Sequence, residues 1–317
     1  MNKLKFAVIG CGNIALKSSI PALLNSEFSE LVVCVDTNMA KGGIIKAKFD
    51  KPFENSLKTA FKKYNFDAVY ISTPIGTHKD IVILAAENKK HILCEKSLAV
   101  NLKEVEEMIS ICKKNNVALF EGFMYQFHTQ HKYVKNLIAS GEIGTPLHFQ
   151  AWFGFPPINK NDFRYDKILG GGALLDAGSY TVHAARHFFD SEPIKCFSVL
   201  EDEGHEVEIR GSVLLDFGKS KTAHLVFGFN NMYQNKYVIW GTLGVITLER
   251  AFALPPHFMS KLILEKQGEK KEFILEPCDH FIEEIKYFVR NVNNNVEVKK
   301  WEYDLLNQCK ALHHIRS

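Results

Sequence analysis

Lys5-Phe6-Ala7-Val8-Ile9-Gly10-Cys11-Gly12-Asn13-Ile14-Ala15 is the stretch that decides the fold. An apolar, β-favouring run ends on two glycines and passes at once into an amphipathic stretch, Asn13 to Ser26, so strand, tight turn and helix follow one another. The pattern is G-x-G-x-x-A, in which small residues let the backbone approach a pyrophosphate at the positive N-terminus of the helix. A second strand-like run, Leu31–Asp36, completes a βαβ unit. Asp36 at its end can accept hydrogen bonds from an adenosine ribose diol. Gly10, Gly12, Asn13, Ile14, Ala15 and Asp36 are therefore candidate dinucleotide contacts. A carboxylate there repels a 2′-phosphate, and no Arg follows it, only Lys41 and Lys46. NAD(H) is accordingly favoured, with NADP(H) as the alternative.

The alternation continues outward. Ala68–Ser72, His91–Cys94 and Val117–Glu121 read as further strands, with helical stretches between them. The clearest of these helices starts at Asn101, with Glu104 placed for a capping box. This predicts a doubly wound parallel sheet over residues 1–122. From residue 123 the texture changes. A helical stretch, Gln130–Ser140, precedes strands Leu147–Phe153, Ile194–Leu200, Glu206–Phe217, Thr222–Phe229, Lys236–Trp240 and Val245–Leu248. Consecutive strands on short turns mean a mainly antiparallel sheet, and the alternation His205–Arg210 suggests one covered and one open face. Helices are expected over Asp279–Asn291 and Glu302–Ile315. Residues 123–317 thus form a second α/β domain, for substrate binding and oligomerisation.

Composition bounds the function. With 39 Lys+Arg against 36 Asp+Glu the net charge is +3, scattered and without the basic stripe that nucleic acid needs. No apolar run reaches the ~20 residues of a membrane helix. The N-terminal stretch reads as a strand and not as a signal peptide, because no small-residue cleavage site follows it. Seven cysteines without a C-x-x-C pair fit reduced thiols in a cytoplasmic protein. No metal site is expected, and His128 with His131, like His313 with His314, reads as a surface pair.

Three further stretches carry chemistry. Ser72-Thr73-Pro74, followed by His78, and Glu95-Lys96 lie at strand ends on the edge where open α/β sheets bind cofactors. Phe163-Arg164 precedes the glycine run Gly170–Gly172, which feeds an apolar helix start containing Asp176, Tyr180 and His183. Asp176 and Tyr180 are i and i+4 and share a helical face. A phenol here can exchange a proton with a carbonyl or alcohol, and a nearby ammonium such as Lys96 draws its pKa down towards the working pH.

Taken together, G-x-G-x-x-A, Ser-Thr-Pro with a following His, Glu-Lys, Glu121-Gly122-Phe123-Met124-Tyr125-Gln126-Phe127-His128 and Gly-Gly-Gly-Ala-Leu-Leu-Asp-x-Gly-x-Tyr resemble the Gfo/Idh/MocA family of NAD(P)-dependent oxidoreductases over nearly the whole chain. The resemblance implies an N-terminal Rossmann domain and a C-terminal α/β domain on a large open sheet. It further implies a homodimer or homotetramer through that sheet, and hydride exchange between nicotinamide and a sugar or cyclic-alcohol carbon. It carries catalytic roles onto Lys96, Asp176 and Tyr180. Ser97 stands where the family motif has Pro after the lysine. Tyr180 replaces the His of many members, as in the branch of glucose–fructose oxidoreductase, the nucleotide-sugar 3-ketoreductases and the dihydrodiol and xylose dehydrogenases. Gln126 stands where that branch often has Arg.

The expected function is reversible oxidation and reduction at a hydroxyl or keto carbon of a sugar, free or nucleotide-linked. Tyr180 is the general acid or base, helped by Lys96, with Asp176 orienting lysine or substrate. Arg164, Trp152, Phe153 and His183 are candidate substrate contacts. Oxidation of free aldoses or cyclic trans-diols is the alternative within the class, and an idle NAD-binding sensor or scaffold is the alternative outside it.

Overall fold

The computed structural model describes residues 3–317. The chain divides into two compact units, Met1–Met124 with Phe281–Leu306, and Tyr125–His280 with Asn307–Ser317. A single cut at residue 122 would give Phe281–Leu306 to the second.

The first unit is built on a six-stranded sheet in the order β3-β2-β1-β4-β5-β6. Its strands are β1 (Leu4–Ile9), β2 (Ser29–Val35), β3 (Phe53–Glu54), β4 (Ala68–Ile71), β5 (His91–Glu95) and β6 (Leu119–Gly122). Every pairing in it is parallel. Phe6, Ala7, Val8 and Ile9 are all buried, as a strand covered on both faces requires. The order reverses at β1, between β2 and β4, so the C-terminal ends of these strands form the crevice typical of doubly wound sheets. Asn101 caps the helix Leu102–Asn115 by accepting from Glu104 N at 3.0 Å. The C-terminal segment closes one face, where Phe288 lies 6.0 Å from Phe6 and the Trp301 ring meets Phe120 edge-on at 4.8 Å. This is the Rossmann sheet expected from the first residues.

The second unit carries an eight-stranded sheet in the order β14-β13-β12-β11-β7-β10-β9-β8. Its strands are β7 (Pro146–Gly154), β8 (Lys195–Glu201), β9 (Arg210–Gly218), β10 (Lys221–Gly228), β11 (Gln234–Gly241), β12 (Gly244–Glu249), β13 (Ser260–Lys266) and β14 (Glu269–Leu275). All pairs are antiparallel except β7 with β10. Along β7 the side chains alternate: Phe149, Ala151 and Phe153 are buried, whereas His148, Gln150 and Trp152 are half-buried on the other face. The buried row packs on the helix Ser179–Phe189, where Phe149 stacks on Phe188 at 5.9 Å. The other face is open and carries Phe197, Val199, Leu214 and Trp240 as exposed apolar side chains.

Three expectations are corrected. The stretch expected to begin a strand at Glu206 becomes regular strand only at Arg210: Ile209 N still donates to Glu201 O at 2.8 Å, but before it Glu208 O is taken by Ala173 N at 2.7 Å. The β13–β14 hairpin is absent from the sequence reading, since β14 is an edge strand whose exposed Glu and Lys mask its alternation. His128 and His131 are buried, not surface, residues: His131 Nδ1 meets Tyr237 Oη at 3.0 Å and Nε2 meets Ala251 O at 2.9 Å.

Candidate active site

At the crevice of the first unit, Gly10 has φ +92° and an added Cβ would sit 2.7 Å from Thr73 and 2.8 Å from Ser72 backbone. Only glycine allows that approach. Ser72 Oγ donates to Gly10 O at 2.8 Å, tying the end of β4 to the turn. A Cβ on Gly12 would meet nothing within 4 Å, so the turn borders open space. Asn13, Ile14 and Ala15 follow, and Ile14 is exposed beside the turn. From Ala15 to Ser19 the helix is wound as a π-turn before continuing as Ile20–Asn25. The Asp36 carboxylate accepts from Cys11 N at 2.7 Å and from Asn38 N at 2.8 Å, so it braces the glycine turn itself. An ionised carboxylate has lone pairs left for a diol. These features fit a dinucleotide: a backbone cradle, an open helix start and a carboxylate at the neighbouring strand end.

The side chains of His78 and Glu95 face protein groups. The fully buried His78 ring sets Nε2 2.9 Å from Thr73 O and Nδ1 3.1 Å from both Ser97 O and Leu98 O. The ring therefore fills the space between the Ser72-Thr73-Pro74 loop and the turn after Lys96, its one N–H in the neutral form donating to one of them; burial pushes its pKa down against the pull of these carbonyls. Glu95 turns inward, accepting from the Tyr70 phenol at 2.7 Å, and burial raises its pKa. Glu121 Oε1 accepts from Leu98 N at 2.7 Å. The Lys96-Ser97 peptide bond is cis. Lys96 is thus carried on a turn held by His78 on one side and Glu121 on the other.

In the second unit, the glycine run threads past Arg164 and Glu208. A Cβ on Gly171 would fall 2.5 Å from Arg164 O, and one on Gly172, at φ +113°, 2.5 Å from Glu208 Oε1. Ala173 N donates to Glu208 O at 2.7 Å, and Leu174 N to Glu208 Oε1 at 3.2 Å. The glycines explain how the chain enters the helix start so closely. Leu174–Gly178 is a π-turn, and Ser179–Phe189 continues as α-helix. Asp176 accepts from Arg164 Nε at 2.7 Å, while Arg164 Nη1 reaches Asp162 at 3.0 Å. Arg164 and Asp176 are brought together as one ion-paired unit.

Tyr180 is only 6% exposed, with its ring walled by Tyr125, Phe153 and Phe252 at centroid distances of 5.8, 5.3 and 5.9 Å. Behind this wall Tyr125 Oη meets His183 Nδ1 at 2.6 Å, so His183 buttresses Tyr125. Trp152 lies on the opposite face of the sheet from Phe153, with Lys236 Nζ 5.0 Å from its ring centre. As a substrate contact beside Tyr180 it is corrected: a strand cannot turn two successive side chains to one face. The sequence reading missed Tyr125, Phe252, Glu121 and Tyr70. Tyr125 and Glu121 lie inside a quoted motif, and Phe252 had no signal.

Known proteins share this architecture. Residues 4–123 match the model described as oxidoreductase family, NAD-binding Rossmann fold, and residues 131–247 match the GFO/IDH/MocA C-terminal domain. A dTDP-3,4-didehydro-2,6-dideoxy-alpha-D-glucose 3-reductase from Saccharopolyspora spinosa is 32% identical over 290 residues, 91% of this chain and 87% of its own. A D-xylose 1-dehydrogenase (NADP(+)) from Haloferax volcanii is 29% identical over 289 residues, 90% of this chain and 88% of its own. The crystal structure of a 3-ketoreductase from Actinomadura kijaniata with NADP and TDP-benzene superposes with a TM-score of 0.92 at 29% identity, covering 99% of this chain and 97% of that one. A paired Rossmann unit and open-sheet unit, matched over both, make the chain a member of the Gfo/Idh/MocA family of oxidoreductases with an NAD-binding Rossmann fold.

Proposed function

We propose that the protein interconverts a hydroxyl and a keto group on a sugar, nucleotide-linked in the first instance, with Tyr180 as the proton donor in reduction. The observation that carries this reading is the buried phenol of Tyr180, walled by aromatic rings on the helix that follows the glycine run, in a chain with a dTDP-sugar 3-reductase relative at 32% identity. In reduction the carbonyl oxygen takes a proton from Tyr180, and Lys96 hydrogen-bonds the same oxygen and favours the phenolate left behind. Arg164, held by Asp176, offers its guanidinium to a substrate hydroxyl or phosphate. In oxidation the same groups run in reverse, as a dehydrogenase of free aldoses or cyclic trans-diols would use them.

The Gly10–Ala15 turn would hold the pyrophosphate and Asp36 the adenosine ribose, with Ser72, Thr73 and Pro74 bordering the same crevice. When bound, the nicotinamide supplies or takes up the hydride. Asp36 supports NAD(H) over NADP(H) by repelling a 2′-phosphate. The exposed row of Phe197, Val199, Leu214 and Trp240 supports a homodimer or homotetramer formed through the open sheet.

The test is absorbance at 340 nm with each of NAD⁺, NADP⁺, NADH and NADPH, against nucleotide ketosugars, free aldoses, inositols and trans-diols. Turnover of a nucleotide ketosugar with NADH supports the reading in full. Turnover of free aldoses or trans-diols alone supports the dehydrogenase alternative. Tight dinucleotide binding with no turnover on any of them refutes both and leaves the idle binder.

A further inference from the structure

Glu284, on the helix His280–Asn291, is fully buried, and neither of its carboxyl oxygens has a hydrogen-bond partner among the described residues. It approaches the end of β5 through a gap left by a glycine. Gly122 pairs with Glu95 in the β5–β6 register. A Cβ on Gly122 would lie 3.5 Å from Glu284 Oε1 and 3.6 Å from Glu95 Cα. The groups around this place are the Tyr70 phenol from β4, the Ser19 hydroxyl from the first helix, and Cys94, Glu95 and Lys96 from β5 and its end. Glu121 from β6 completes them, its carboxyl engaged by Leu98 N.

Two carboxyl groups in one dry pocket cannot both ionise cheaply. Glu95 has a phenol donating to it at 2.7 Å and an ammonium-bearing neighbour, Lys96. Glu284 has no donor among the described residues, and burial first and the Glu95 charge second push its pKa well up. The proton therefore belongs on Glu284 and the charge on Glu95.

We propose that Glu284 stays a neutral carboxylic acid and acts as a positioning residue for the Glu95–Lys96 turn, so that of this pair of carboxyl groups Glu95, next to Lys96, carries the charge. It packs where Gly122 leaves room and keeps the inward side chain of Glu95 against Tyr70. The part concerning Lys96 rests on the function proposed above; the protonation state does not.

The experiment uses the full chain with Glu284→Gln and Glu284→Ala. A folded-state pKa above the unfolded value of about 4.3 means that the folded state keeps a proton which the unfolded state releases. Stability is then lost as pH rises, and only in proteins that carry the acid. The Gln amide does not titrate, so the Tm of Glu284→Gln relative to wild type should climb by several degrees between about pH 5 and about pH 8. The carbonyl-stretch infrared band of a protonated carboxylic acid should be present in wild type at the upper pH and lost in Glu284→Gln. On a turned-over substrate, Glu284→Ala should lower kcat by about tenfold or more with dinucleotide affinity little changed, and Glu284→Gln should restore most of it. A Tm difference that is flat with pH, or no acid band, overturns the neutral-acid assignment whatever the catalytic result. A kcat loss in Glu284→Gln as large as in Glu284→Ala overturns the positioning role.

Discussion

Tyr180→Phe isolates proton donation from packing, because the structure lets the two be separated. The substitution removes one oxygen and keeps a ring whose faces and edges already contact Tyr125, Phe153 and Phe252 at 5.3 to 5.9 Å. A side chain only 6% exposed in an aromatic wall accepts phenylalanine readily, so unfolding free energy should change by about 1 kcal/mol or less. The loss of a general acid, by contrast, costs about 10²–10⁴-fold in turnover, roughly 2.7–5.4 kcal/mol of transition-state stabilisation. Steady-state rates at 340 nm with saturating dinucleotide, beside a thermal melt, read both quantities. Dinucleotide affinity should be unchanged, since Gly10, Gly12 and Asp36 belong to the other unit. Tyr125→Phe is the control: its phenol is also buried and is bonded to His183 at 2.6 Å, the arrangement of a second candidate donor. Full turnover in Tyr180→Phe would refute the assignment, and a collapse in Tyr125→Phe alone would transfer it to the Tyr125–His183 pair.

Asp36→Ala should shift the ratio of kcat/KM for NAD⁺ over NADP⁺ towards NADP⁺ by about tenfold, measured side by side; an unchanged ratio would show that the carboxylate serves only to brace Cys11 N and Asn38 N. Burial pushes the His128 imidazole down to about 4 and the His280 imidazole down to about 3. A depressed histidine stabilises the fold above its unfolded pKa of about 6.5, and that contribution is lost as pH falls towards the folded values, with a slope of up to about 1.4 kcal/mol per pH unit for each group. Denaturant melts between these limits should show that slope and should flatten by one group in His280→Phe. Trp240→Glu, on the open face of the second sheet, should convert an oligomer to monomer in light scattering without altering the melting transition of the fold.

The parts of the fold legible in the sequence are those where local pattern and tertiary role agree. β1 is apolar on both faces because it is buried on both faces, and Gly10 is a glycine because Ser72 and Thr73 leave no space for a Cβ. The parts not legible are those where a partner distant in sequence decides. Glu206–Ile209 alternates as a strand does, but Glu208 is committed to Ala173 N and Leu174 N, thirty-odd residues back, so regular strand starts at Arg210. β14 hides the opposite way, its Glu and Lys suiting a solvent-exposed edge and defeating a search for apolar periodicity. The first unit likewise finishes with Phe281–Leu306, which no cut at a change of texture could find, because Phe288 and Trp301 complete its core from the far end of the chain.

At the candidate site the same division separates residue type from residue role. The motifs locate Lys96, Asp176 and Tyr180, the ammonium, carboxylate and phenol that the proposed reaction would use. They do not say what each polar group is already bonded to, and that alters several roles. His78, in sequence a candidate for the cofactor, is fully buried with its ring nitrogens facing the carbonyls of Thr73, Ser97 and Leu98. Glu95 turns to Tyr70, and Asp176 to Arg164. Each of these contacts positions a backbone segment or a cation next to a group that the proposed reaction uses, and preorganisation of this kind is what makes a proton donor effective, since an ångström of misplacement is enough to cost about 10²-fold. A substitution at His78 should therefore weaken turnover through the position of Lys96 and not through loss of a cofactor contact, so that kcat falls while the dinucleotide Kd holds.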